Sequence, residues 1–217
     1  MALNKTQRRT MWIALAAVIL ILIVDQTSKV WVKTNMHLSE TKDIFPWFKI
    51  LFTENPGMAF GIELVDTYVL TIFRIIVVSV LGVVVYRLIK REYKTGFVIC
   101  FACIMAGALG NIFDCAFYGV LFNESSFGKV AEFMPEGGGY STFLHGRVVD
   151  MLYFPLVQTT WPSWVPKWGG SEFVFFRPIF NIADSSICVS VFVLLLFYRR
   201  TFSLYESKTK TDDEQIS

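Results

Sequence analysis

The chain has 217 residues, 54% of them hydrophobic and 16% aromatic, and its mean hydropathy is +0.51. That composition excludes an ordinary soluble domain, and a net charge of +2 excludes nucleic-acid binding driven by charge.

Four apolar runs, about 11–32, 68–88, 97–118 and 179–198, approach or exceed the roughly 20 residues that cross about 30 Å of hydrocarbon. The expected class is an all-α integral membrane protein: four transmembrane helices, a small external β-rich or interfacial subdomain and an extended external loop. Residues 1–200 form one membrane domain on this reading, with external segments at 33–67 and 119–177 and a cytoplasmic tail at 201–217. The four cysteines fall inside the expected spans. Cys100 and Cys103 have C-x-x-C spacing without a second ligand pair, so neither a metal nor a cofactor is expected.

Lys5, Arg8 and Arg9 precede the first apolar run, which looks at first like a signal peptide. No small-x-small cleavage site follows, and apolar character resumes at Val30, Trp31 and Val32, so an uncleaved span with a cytoplasmic N-terminus is expected. Asp25 and Lys29 are four residues apart and can pair on adjacent turns, which lowers the cost of holding both at membrane depth. A structural ion pair is the preferred reading over direct catalysis. The run 47–53 is rich in strand formers and predicts a short sheet lying on the membrane. It leads into Asn55-Pro56-Gly57, where Asn55 either starts a turn or, in a segment dipping into the bilayer, offers its amide to a carboxylate.

Arg87, Lys90, Arg91 and Lys94 put the next loop in the cytoplasm. Arg74, near the outer end of the second span, either snorkels to the interface or meets a carboxylate inside the bundle. In the third span Ala102, Ala106 and Gly110 form a small-residue stripe for close helix approach, with Gly107, Asn111 and Asp114 on a neighbouring face. Gly119 is read as the end of that span, and Gly137–Gly139 as a flexible part of the long loop. The stretch Gly146–Pro155 contains Asp150 and is too short to span, so it reads as an interfacial or re-entrant piece ended by Pro155. Trp161, Trp164 and Trp168 suit the aromatic belt, and Pro178 suits the first turn of the fourth span. There Asn181 and Asp184, three apart, share a helix face.

With both termini inside, Asp25, Asn55, Asp114, Asp150, Asn181 and Asp184 all fall in the outer third of the membrane. A carboxylate at such depth costs roughly 2.5–3.5 kcal/mol on insertion scales, so a shared depth points to one polar site. His37 and His145 lie in external loops, which leaves carboxylates and amides as the chemistry available. Two aspartates held close share a proton; one can then deprotonate water while the other protonates or polarises a carbonyl. A proton-coupled transporter would use similar carboxylates, and a non-enzymatic assembly factor would use them to lock helices together.

The set Asp25-x-x-x-Lys29, Asn55-x-Gly57-x-Ala59-Phe60, Gly107-x-x-Gly110-Asn111-x-x-Asp114, Val148-Val149-Asp150 and Phe180-Asn181-x-Ala183-Asp184 resembles the ordered motifs of lipoprotein signal peptidase (signal peptidase II). The resemblance implies a bacterial inner-membrane aspartyl endopeptidase, active near the periplasmic face; four spans that enclose a site make a monomer sufficient. Its implied substrates are prolipoproteins, cut N-terminal to a diacylglyceryl-modified cysteine, and its other implied partners are membrane lipid and globomycin-type inhibitors, with no nucleic acid. By the same resemblance the catalytic dyad maps onto Asp150 and Asp184. Asn55, Gly57, Asn111 and Asn181 map onto substrate-binding or dyad-supporting positions, and Asp25, Lys29 and Asp114 onto structural support. Two departures stand out. The family usually has Arg after the aspartate of the third helix, whereas Cys115 stands here, which makes Arg74 or Arg147 the candidate cation for Asp114. The loop 121–146 is longer than usual, and is expected either as a lid or docking surface over the site or as a disordered insertion.

Overall fold

A computed structural model describes residues 2–56 and 67–201. Helix α1 (Lys5–Asn35) starts at Asn4, whose side chain accepts from the Gln7 N–H while the Gln7 side chain accepts from the Asn4 N–H, a capping box. At 1.5 Å per residue its 31 residues rise about 46 Å, so both ends project beyond a bilayer core. Helix α2 (Thr67–Lys90) and helix α3 (Thr95–Phe113) follow. A π-helical turn (Asp114–Tyr118) and a short α4 (Gly119–Leu121) extend α3, so the third apolar helix runs through Gly119 rather than ending there. Among the described residues these three are the helices long and apolar enough to cross a membrane. The fourth apolar helix, α5 (Ile182–Phe197), has 16 residues and is shorter than the expected span 179–198. Its first residues are taken by a strand and a cap. Pro178 therefore precedes that strand instead of opening the helix.

The all-α description also gives way, because the segments between the apolar helices form a four-stranded antiparallel sheet. Its order is β1 (Thr41–Phe45), β2 (Phe48–Asn55), β3 (Val148–Tyr153) and β6 (Ile179–Phe180). A separate hairpin joins β4 (Val157–Thr160) to β5 (Glu172–Phe175). The sheet anticipated at 47–53 is β2. The stretch read as interfacial or re-entrant is β3, a central strand paired on both edges, which satisfies its backbone without a helix.

Two apolar clusters hold the molecule together. The inner one joins Ala14 and Val18 of α1, Leu88 of α2, Phe97, Val98, Ala102 and Ala106 of α3, and Leu194 of α5. The outer one joins Val32 and Met36 to Phe52 of β2, Val149 and Met151 of β3, and Tyr118 and Phe122. Along α1 the residues between the two are Asp25 and Lys29, both fully buried, so a polar layer is clamped between apolar ones. Large apolar side chains such as Leu20, Phe73, Ile76, Phe192 and Leu196 point outward, as expected for helices whose neighbours are acyl chains.

Candidate active site

The site is assembled by a helix start, a strand and two helix bodies. Asn181 caps α5 from an extended conformation: its Oδ1 accepts from the Asp184 N–H at 2.9 Å, and Asp184 Oδ2 accepts from the Asn181 N–H at 3.3 Å. Because capping commits Asn181 Oδ1, its Nδ2 faces the other way. It donates to Asp150 Oδ1 at 2.7 Å, with Asn111 Oδ1 at 3.1 Å and the Val149 carbonyl at 3.3 Å. Asn111 Nδ2 in turn donates to Asp184 Oδ1 at 2.8 Å. Asp150 on β3 and Asp184 on α5 are thus gripped by two interlocked amides.

Lys29 orients that pair from below. Its ammonium lies 2.9 Å from Asp25 Oδ2 and 2.7 Å from Asp114 Oδ2, with all three side chains fully buried, and donates to Asn111 Oδ1 at 2.9 Å. Asp25 Oδ1 accepts from the Ala183 N–H at 2.9 Å, which suits a carboxylate beside the positive end of α5. Asp114 also accepts from the Val149 N–H at 3.3 Å, tying the ion cluster to the strand that carries Asp150. The close approach of α3 to the start of α5 needs glycine. A Cβ at Gly107 would sit 2.3 Å from the Ala183 carbonyl oxygen, and one at Gly110 would sit 2.7 Å from Asp25 Oδ2.

Burial first, and then the negative charge of Asp184, push the Asp150 carboxyl up to about 7, against the pull of Lys29 and the Asn181 amide. An acid poised there holds a proton near neutrality. Asp184 accepts an N–H on each of its two oxygens, from the Asn111 amide and the Asn181 backbone. Among the described residues no cluster of His, Cys, Asp and Glu could hold a metal ion.

Most of the residues singled out in the sequence converge here: Asp25, Lys29, Asn111, Asp114, Asp150, Asn181 and Asp184 form one connected network. Asn55 ends β2 opposite Val148, on the face of the sheet that carries Asp150. Gly57, with Ala59 and Phe60, lies outside the described residues. The expectation that Asp114 needs Arg74 or Arg147 is corrected, because Lys29 is its cation. Arg74 donates to the Cys115 sulfur at 3.3 Å, and Arg147 binds Glu54 and Glu124. Gln26 was missed: its Nε2 donates to Asp114 Oδ1 at 2.8 Å while its Oε1 accepts from the Tyr118 hydroxyl at 3.1 Å. Its position next to Asp25, in an apolar run, was the available signal.

The 121–146 loop is corrected as well. Instead of a disordered insertion, it is folded, with hydrogen bonds to α1, β2 and the π-helical turn. Gly146, Leu144 and Ser141 donate backbone N–H groups to the carbonyls of Cys115, Ala116 and Gly119, along the π-helical turn and the start of α4. Gly139, expected in a flexible part, is packed against the Gly119 and Val120 carbonyls.

Apolar helices of spanning length, a sheet seated on their ends and a hydrogen-bonded pair of aspartates, Asp150 buried and Asp184 half-buried, define an integral membrane protein built around a carboxylate site. Residues 17–200 match the family described as Signal peptidase (SPase) II. A lipoprotein signal peptidase of Porphyromonas gingivalis is 50% identical over 197 residues, covering 90% of this chain and 87% of that protein. One of Amoebophilus asiaticus is 35% identical over 219 residues, covering 96% and 88%. A solved structure described as a bacterial membrane enzyme shares the fold, with a TM-score of 0.57 at 24% identity over 87% of this chain and 88% of that one. The chain belongs to the signal peptidase II family, and it is a bacterial membrane protease of lipoprotein processing.

Proposed function

We propose that the protein is an aspartyl endopeptidase that removes the signal peptide from diacylglyceryl-modified prolipoproteins, cutting N-terminal to the lipidated cysteine. The observation that carries this reading is the pairing of Asp150, pushed up to about 7, with Asp184 through the Asn181 and Asn111 amides. Asp184 acts as the base that takes a proton from water, and Asp150 donates its proton to the scissile carbonyl as the tetrahedral oxyanion forms. As the intermediate collapses, Asp184 gives the amine the proton it took from water and Asp150 takes a proton back from the tetrahedral hydroxyl, so the C–N bond is exchanged for a C–O bond and one water is consumed. Asn181 and Asn111 hold the carboxyls in place, Asp25, Lys29 and Asp114 support those amides, and Asn55 borders the substrate path. α5 serves as the fourth span of a single domain, residues 1–200, with both termini cytoplasmic and the site near the outer face. A signal-peptide helix carrying lipid can enter sideways from the bilayer, and a monomer suffices. Globomycin-type lipopeptides are expected to compete at the aspartate pair.

The test is cleavage of a purified diacylglyceryl prolipoprotein by the protein in detergent, beside Asp150→Asn and Asp184→Asn. Each variant should lose about 10²-fold or more of kcat while remaining folded. A folded wild-type protein that leaves the substrate intact, yet carries protons across liposomes in an Asp184-dependent way, would sink the peptidase reading in favour of a proton relay.

A further inference from the structure

A second buried ion cluster lies outside the aspartate network. Lys33, one turn beyond Lys29 on α1, is fully buried and pairs with Glu54, whose side chain is 3% exposed. Lys33 Nζ also donates to the Ser125 hydroxyl at 2.8 Å, and that hydroxyl donates to Glu54 Oε1 at 2.7 Å. Arg147 Nη1 donates to Glu54 Oε2 at 3.3 Å and to Glu124 Oε1 at 2.6 Å. Two rings enclose the lysine, Phe122 at 5.3 Å and Tyr140 at 5.0 Å from the ammonium; the Tyr140 hydroxyl accepts the Arg147 backbone N–H at 2.7 Å. Desolvating Lys33 and Glu54 contributes little net stability compared with an apolar packing of the same volume. Their placement offers another use.

Glu54 lies in β2 next to Asn55, and Arg147 immediately precedes β3. On that side of the sheet the two strands meet through three pairs, Thr53 with Asp150, Glu54 with Val149 and Asn55 with Val148. A register shift between Ile50 and Thr53 separates these pairs from the rest of the ladder. A slip of one residue in so short a stretch would turn every side chain to the opposite face. For Asp150 that means the wrong face. The cluster ties one strand to α1 and the other strand to the first, on Asp150's own side of the bulge.

We infer that Glu54, Lys33 and Arg147 are positioning residues that fix the β2–β3 register in which Asp150 meets Asp184. The inference rests on the peptidase reading and extends it to residues that touch neither aspartate. A merely structural cluster would change the folded fraction and leave the turnover of folded protein alone.

The experiment measures kcat and KM for lipidated prolipoprotein cleavage by wild type, Glu54→Gln, Arg147→Met and Arg147→Lys, each with a thermal unfolding curve. One guanidinium nitrogen serves both carboxylates, so a lysine ammonium can take its place. Arg147→Met and Glu54→Gln should lower kcat at least tenfold with KM within twofold, and Arg147→Lys should stay within threefold of wild type. If Glu54→Gln does not fold, the two Arg147 variants decide, because that side chain is 35% exposed. Wild-type turnover in Arg147→Met, or equal loss in the Met and Lys variants, overturns the inference while the peptidase reading stands. Absence of cleavage by folded wild type overturns the peptidase reading, and this inference falls with it.

Discussion

Lys29→Met is the sharpest perturbation of the buried network. The wild-type ammonium has three partners within 2.9 Å, two of them carboxylates, and none of the charged groups is exposed. Methionine keeps the stem's volume and removes the only cation that touches both Asp25 and Asp114 among the described residues. Breaking a buried pair by deleting one partner costs about 3–5 kcal/mol, because a desolvated charge is left behind. Here two like charges remain, so the upper part of that range is expected. Asn111 Oδ1 keeps the Asn181 amide as a donor, and this limits the loss at the aspartate pair itself. Equilibrium unfolding in mixed micelles, followed by circular dichroism, measures the cost. The triple variant Asp25→Asn/Lys29→Met/Asp114→Asn removes the orphaned charges and should recover at least half of it. A Lys29→Met protein within about 1 kcal/mol of wild type, or a triple variant no more stable than the single one, would refute the reasoning.

Further outcomes follow from the same geometry. Asp150 titrates near 7 in the folded protein against an ordinary 3.8, so the folded state binds the extra proton. Its stabilising contribution is complete below about 4 and is lost as pH rises through about 7, so wild type should lose stability over that window relative to Asp150→Asn. Cleavage should decline over the upper part of the window, read from a pH–rate profile. Gly110→Ala places a methyl 2.7 Å from Asp25 Oδ2 and 3.3 Å from the Ala183 Cβ, so α3 and α5 must separate. A loss of about 1–3 kcal/mol in unfolding and a parallel loss of cleavage are expected. Asn181→Ser keeps a capping oxygen but cannot reach Asp150. Its unfolding free energy should fall by about 1–3 kcal/mol, the cost of leaving the buried acceptors of Asn181 Nδ2 without that donor, while kcat falls by a larger factor than this stability loss accounts for.

Three of the four expected spans were legible because bilayer thickness acts directly on composition, and the cost of isolated charge in an apolar helix marked the polar residues that converge on one network. The Asp25–Lys29 pair was legible because it is local, four residues apart on one helix. Lys29 as the partner of Asp114 was not, since nothing in sequence spacing brings the middle of α1 against the end of α3. Attention to the missing arginine at Cys115 pointed instead to Arg74 and Arg147. The secondary structure of Asp150's segment was left open for a related reason. A six-residue apolar run is compatible with a strand or a membrane-dipping piece, and only its pairing with β2 and β6 decides between them. The capping box at Asn181 and Asp184 was present in the spacing of amide and carboxyl, but Pro178 drew the expected helix start several residues too early.

The length of α5 has a consequence for the membrane around it. Sixteen residues rise about 24 Å, against about 30 Å of hydrocarbon. If Phe197 lies at the inner boundary, Asn181 and Asp184 sit beneath the outer one, and water must be led down to them by the protein's own polar groups. A bilayer that thins locally around this short helix shortens that descent, and one thickened by longer acyl chains lengthens it. Membrane thickness then becomes a determinant of turnover in its own right, acting on how far the scissile bond must sink before it meets Asp150.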